Sequence, residues 1–160
     1  MGIVLLISNL SDANMIDIIE NCPKIHFMSS SNFVRRSDLI YPELSYLIVG
    51  CAFEVWNELG PGHSERTYQQ AMAVTLRKKN LQFSEQVYSK LKFQEQKLNG
   101  KFFDFIIENK IVVELKKGDY FSIKHIQQTS DYLIRSKLQL AIIINFTFNG
   151  VRSKRIVNIL

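Results

Sequence analysis

Toward the C-terminal end of the chain, the stretch LQLAIIINF (residues 138–146) is a nearly continuous apolar run, the pattern of a buried strand. The segments around it are patterned differently. ELSYLIVGCAFEVWNELG (43–60) sets Leu44, Leu47, Ile48, Cys51, Val55 and Leu59 at helical intervals and stops at Gly60. A second helix is predicted from about 65 to 79, with Tyr68, Met72 and Leu76 on one face as core residues and the basic RKK at its C-terminal end. EQVYSKLKFQ (85–94) alternates Val87, Leu91 and Phe93 with Tyr88, Lys90 and Lys92, the period of a strand with one wet face, and KLNG (97–100) reads as a turn. KFFDFII and IVVELKK are separated only by the polar ENK (108–110), so they should pair as an antiparallel hairpin. A helix from about 122 to 134, with Ile126, Leu133 and Ile134 expected toward the interior, and a last strand near 154–159 complete the order: helix, helix, three strands, helix, strand, strand. These elements predict an α/β sandwich around a mixed sheet.

The 160 residues suit a single folded domain, placed at 41–160. Residues 1–40 read as an N-terminal extension of uncertain structure, with the polar SSSNF (29–33) as a linker or loop. Charge is unevenly placed. The net charge is +5, yet residues 1–40 hold three basic against four acidic side chains, so the remainder carries +6. A basic domain of this kind is compatible with a phosphate-rich partner. Cys22 and Cys51 stand far apart with no CxxC spacing, which excludes a cysteine-built zinc site or iron-sulfur cluster within the chain and suits a reducing cytoplasm. The opening MGIVLLIS lacks a basic flank and is too short for a secretory or membrane-spanning segment.

Chemistry concentrates in the predicted hairpin. Glu114 and Lys116 share one face of a strand that should otherwise be buried, and a buried carboxylate demands a cation, either Lys116 or a metal. Register decides whether Asp104 joins them. A two-residue turn would set Asp104 against Leu115, whereas a three-residue loop over 108–110 sets it opposite Glu114, with Asn109 or Lys110 a candidate for positive φ. Upstream, GPGHSERTY (60–68) ends one helix, offers Ser64 as the cap of the next, and puts Glu65 in its first turn. His63 beside Ser64 lacks the G-x-S-x-G surroundings of a serine hydrolase, and KKGDY lacks the glycines of a phosphate loop.

The combination of Asp104, Glu114-x-Lys116 on adjoining strands, a helical Glu65 before them and QTSDY in the helix after them resembles the PD-(D/E)XK nuclease superfamily. More narrowly, LGPGHSERTY with Gly62, Glu65 and Tyr68, together with AFEVWNELGPG, IVVELK and HIQQTSDYL, resembles the GxxExxY family over about residues 42–158. The resemblance implies a restriction-endonuclease-like core in αβββαβ order and a metal-dependent phosphodiester hydrolase acting on nucleic acid, DNA more than RNA, without a membrane. It implies Mg²⁺ or Mn²⁺ on Asp104, Glu114, the Leu115 carbonyl and Glu65, and Lys116 beside the attacking water. Gln128 and Tyr132 resemble a Q-x3-Y feature of the RecB-like branch, with Gln128 among the catalytic group and His125, Tyr132 and Tyr68 in support. The alternative is a catalytically silent nucleic-acid-binding or protein-docking module that keeps the nuclease fold.

Overall fold

Pro42 sits in the first turn of helix α1 (Pro42–Leu59), where its missing N–H satisfies no intrahelical bond in any case. The computed structural model describes residues 39–93 and 96–158, so the extension expected over 1–40 lies almost wholly outside the described residues. Gly60 ends α1 at φ 77°, donating its N–H to the Trp56 carbonyl at 2.7 Å. Helix α2 (Glu65–Lys78) begins at Ser64, whose Oγ accepts from the Thr67 N–H at 3.1 Å, and ends with Arg77 and Lys78 in its last turn.

Five strands follow, interrupted by one helix: β1 (Phe83–Phe93), β2 (Gln96–Ile107), β3 (Ile111–Lys117), helix α3 (Ile123–Ser136), β4 (Leu140–Thr147) and β5 (Gly150–Val157). They form one sheet in the order β1-β2-β3-β4-β5. All neighbours are antiparallel except β3 and β4, which run parallel because α3 carries the chain back between them. This is the mixed sheet flanked by helices that the sequence predicts.

Both faces of the sheet are covered. Ile48, Val55, Met72 and Leu76 of α1 and α2 pack with Phe105, Val113, Ile142 and Ile144 on one side. Leu133 and Tyr132 of α3 pack with Phe103, Val112, Ala141 and Ile143 on the other. Alternate residues of β4 therefore enter different cores and all eight are buried, which accounts for the unbroken apolar run. Each fully buried Ile or Leu contributes about 1.5–3 kcal/mol relative to exposure.

Three expectations need correction. KLNG is not a turn: β2 already begins at Gln96, and Phe93 pairs with Gln96. The register slips between Ser89 and Leu91, and Gly100 lies where a Cβ would meet the Ser89 carbonyl oxygen at 2.0 Å, so that glycine permits a close approach of strands instead of a reversal. The last strand begins at Gly150, four residues before the expected start, because 148–149 form a tight hairpin with β4. Ile134, expected inside, is 43% exposed; Thr129 and Leu133 fill the inward stripe of α3 and leave Ile134 at its edge.

Candidate active site

The β2–β3 connection is the odd loop that the hairpin needs. Ile107 pairs with Ile111 across residues 108–110, Glu108 and Asn109 both hold φ 52°, and Lys110 donates its N–H to the Ile107 carbonyl. Asn109 is the expected left-handed residue; Glu108 joins it, and its backbone N–H and Oε1 both engage the backbone of Gln82, which holds the loop against β1. The register continues to Phe105↔Val113 and would next set Asp104 opposite Glu114.

There the backbones part. Asp104 places a side chain in the opening: its Oδ2 accepts from the Leu115 N–H at 2.7 Å. On the other flank β1 pairs Glu85 with Phe105 and Val87 with Phe103, while Gln86 between them adopts φ 50° and its Nε2 donates to Asp104 Oδ1 at 3.3 Å. Phe103 consequently packs in the α3 core and Phe105 in the opposite one, so β2 breaks its alternation at Asp104. Gln86 is a site residue that the alternating sequence around it gives no signal for.

Glu114 is 2% exposed, and its Oε1 lies 2.9 Å from Lys116 Nζ. The same ammonium donates to the Leu115 carbonyl at 2.9 Å and reaches Glu65 Oε2 at 3.4 Å. Glu65 closes the group, with Oε1 accepting from the Lys117 N–H at 3.1 Å. Asp104, Glu114, Leu115, Lys116 and Glu65 thus meet at the C-terminal end of β3. Glu65 arrives there because the glycine corner is anchored on the sheet. Gly62 holds φ 95°, its carbonyl accepts from Lys117 Nζ, and the Tyr68 hydroxyl donates to the Gly60 carbonyl at 2.8 Å while its ring stacks on Phe146 at 4.0 Å. Tyr68 is 1% exposed and supports the corner from the core.

Electrostatics follow from this crowding. Burial, then the neighbouring Glu114, push the Asp104 carboxyl up to about 6; the Leu115 N–H bond and Lys116 offset only part of this. Burial pulls on the Lys116 ammonium in the opposite sense, but Glu114, Glu65 and Asp104 outweigh it and hold its pKa above the ordinary lysine value. Lys116 is therefore a cation and a donor here. The Asp104 and Glu114 carboxyls, with the Leu115 carbonyl beside them, are an oxygen donor set of the kind that suits a hard divalent cation. Among the described residues, no three or more His, Cys, Asp or Glu side chains group closely enough to hold a metal ion by themselves.

The α3 candidates stand differently. Tyr132 is 8% exposed and its ring packs on Phe103, the residue before Asp104, at 4.3 Å. Gln128 and His125, earlier on the same helix, are half-buried, and the His125 carbonyl accepts from Thr129 Oγ1. Asn145 was not singled out in the sequence, though a polar residue inside IIINF signals a bound partner. It stands in register with Lys116, is 1% exposed, and donates to the Gly118 and Tyr120 carbonyls, fixing the chain as it leaves β3.

A family model described as the PD-(D/E)XK nuclease superfamily matches residues 42–156. No curated protein matches. Among solved structures, the crystal structure of SSO0001 aligns at 14% identity with a TM-score of 0.44, over 73% of this chain and 78% of that one. Among the described residues, no helix is long and apolar enough to cross a membrane.

Proposed function

We propose that this chain, which belongs to the PD-(D/E)XK nuclease superfamily, is a metal-dependent nuclease of the GxxExxY type with DNA as its preferred substrate. The observation that supports this most directly is the continuous set of contacts linking Asp104, Leu115, Lys116, Glu114 and Glu65 at one strand end. Its parts divide the work of phosphodiester hydrolysis. Asp104, Glu114 and the Leu115 carbonyl would hold Mg²⁺ or Mn²⁺, with Glu65 completing the shell. Such an ion, when bound, supplies positive charge at the phosphate and lowers the pKa of coordinated water.

The chain's own residues do the rest. The Lys116 ammonium donates hydrogen bonds, which orients the attacking water and offsets the charge that develops on the phosphate oxygens. Gln86 and the Leu115 N–H fix the Asp104 carboxylate, so that it needs no reorganisation as charge develops. Gln128 extends this set from α3, with Tyr132 and His125 in support, and Tyr68 holds the corner that delivers Glu65. The Gly62-x-x-Glu65-x-x-Tyr68 spacing then has one physical reading: a left-handed corner ahead of the helix, a reaching carboxylate in its first turn, and a core anchor one turn further on. Residues 41–160 carry this nuclease unit, and 1–40 are an extension of it.

The test is cleavage of labelled single- and double-stranded DNA and RNA in Mg²⁺ and in Mn²⁺, with EDTA as control. Metal-dependent cleavage of DNA is the expected result. A protein that binds DNA in either metal and leaves every substrate intact is a binding module, and the nuclease assignment falls.

A further inference from the structure

We infer that Tyr88 and Phe102 form a stacking step that receives unpaired bases of a single-stranded nucleic acid next to the Asp104 site. This rests on the nuclease reading for its substrate class. The two residues pair in register across β1 and β2, two rungs from Gln86 and Asp104. Two residues along a strand span about 7 Å, so the aromatic pair stands a short step along the strands from the Asp104 carboxylate.

The rings are presented to solvent and held. Tyr88 is 45% exposed and Phe102 53%, and their centroids lie 4.9 Å apart with the planes tilted by 47°. The Gly100 N–H donates to the Tyr88 hydroxyl at 3.0 Å, and a Cβ on Gly100 would meet the Tyr88 ring at 2.7 Å, so the tyrosine lies flat over the glycine. Covering a strand glycine gives Tyr88 a structural reason to be aromatic. The Phe102 ring touches Tyr88 and leaves more than half its surface in water. The partner implied is one with a flat apolar face and negative charge. The chain supplies the complement in bulk, since the residues after the first forty carry a net charge of +6. Bases inside a duplex already have both faces stacked, so an open base is the natural occupant.

The experiment measures binding of fluorescent oligothymidylate and of a blunt DNA duplex of equal length, in EDTA so that turnover cannot interfere. Phe102→Leu keeps apolar bulk and removes the π-face; it should weaken single-strand binding roughly ten-fold or more and leave duplex binding within about two-fold, while Phe102→Trp should match or exceed the wild type. Thermal unfolding of each variant confirms the fold. Wild type that does not bind the single strand, Phe102→Leu binding like wild type, or equal losses on both probes would each overturn the inference. Cleavage in Mg²⁺ with single-strand binding untouched by Phe102→Leu removes the stacking step and leaves the nuclease; single-strand binding lost on that substitution, with no cleavage by wild type, does the reverse.

Discussion

Asp104 Oδ2 lies 2.7 Å from the Leu115 nitrogen, so a side chain completes the β2–β3 ladder at the rung where the two backbones separate. One carboxylate oxygen thereby substitutes for a strand carbonyl, and the group is fixed at the level of Glu114 without any flexible reach. Asparagine at this position retains one oxygen for that bond, and loses both the charge and the second oxygen that accepts from Gln86. Asp104→Asn should therefore stay folded, weaken Mg²⁺ binding in calorimetry, and lower turnover by roughly two orders of magnitude or more. DNA affinity in EDTA should hold or rise, because a negative charge near the phosphates has gone. Undiminished turnover in this variant would remove Asp104 from the reaction.

Gln86 separates strain from function. At φ 50° a residue with a Cβ is disfavoured by about 1–2 kcal/mol, and the surrounding ladder imposes it. Gln86→Gly relieves that strain and also removes the bond to Asp104, whereas Gln86→Ala removes the bond and keeps the strain. The glycine variant should melt above the alanine variant, and both should lose metal affinity and turnover to a similar extent. Equal melting temperatures would show that the left-handed backbone stores nothing.

Much of this arrangement was legible in the sequence, for reasons that differ by residue. Strand parity is exact, so a three-residue gap between FFDFII and IVVELKK is enough to put Asp104 level with Glu114, and the coordinates keep that register as far as Phe105↔Val113. The helix boundaries at Gly60 and Ser64 follow from local backbone chemistry, and both occur where expected. Gln86 was not legible, because its conformation is imposed by the parting of β2 from β3 and not by its own neighbours. The Asn99-Gly100 pair misled, since glycine serves a turn and a close strand approach equally well in sequence. Ile134 misled because one residue of helix turns the side chain by about 100°, enough to move it from the core to the edge.

The raised pKa of Asp104 makes a prediction about the metal-free protein. Its carboxyl holds a proton to about 6 in the fold against an ordinary value of 3.8. Below the lower value both folded and unfolded chains are protonated there. As pH rises from 3.8 toward 6 the unfolded chain ionises first, so this group's contribution to stability is progressively lost, by about 3 kcal/mol at most. Wild type in EDTA should lose stability across this window relative to Asp104→Asn, as read by denaturant titration at each pH. Divalent cations compete with the same proton, so their affinity should fall as pH drops below about 6.

Tyr68 tests the glycine corner. Tyr68→Phe deletes the hydrogen bond to the Gly60 carbonyl and keeps the stack on Phe146, for a loss of about 1 kcal/mol. Because that bond positions the approach to Glu65 and touches nothing that reacts, turnover should fall by less than for any substitution of Asp104 or Glu114. A loss as large as that of Asp104→Asn would mean that Tyr68 acts on the substrate itself.

Lys116 has two duties that one substitution can divide. Its ammonium neutralises the buried Glu114 carboxylate at 2.9 Å, and the same group is the donor proposed to face the phosphate. Lys116→Met preserves length and apolar packing and deletes the charge. Removing one partner of a buried ion pair typically destabilises by about 3–5 kcal/mol, so this variant should unfold well below wild type in EDTA. Adding Mg²⁺ should raise its unfolding temperature by more than it raises that of wild type, because a cation held by Asp104 and Glu114 then restores the missing positive charge. Cleavage should remain lost at saturating metal, since the bound ion cannot also donate the hydrogen bonds that Lys116 makes. Stability and activity both restored by metal would assign Lys116 a purely electrostatic place beside Glu114; stability restored without activity would leave it in the reaction.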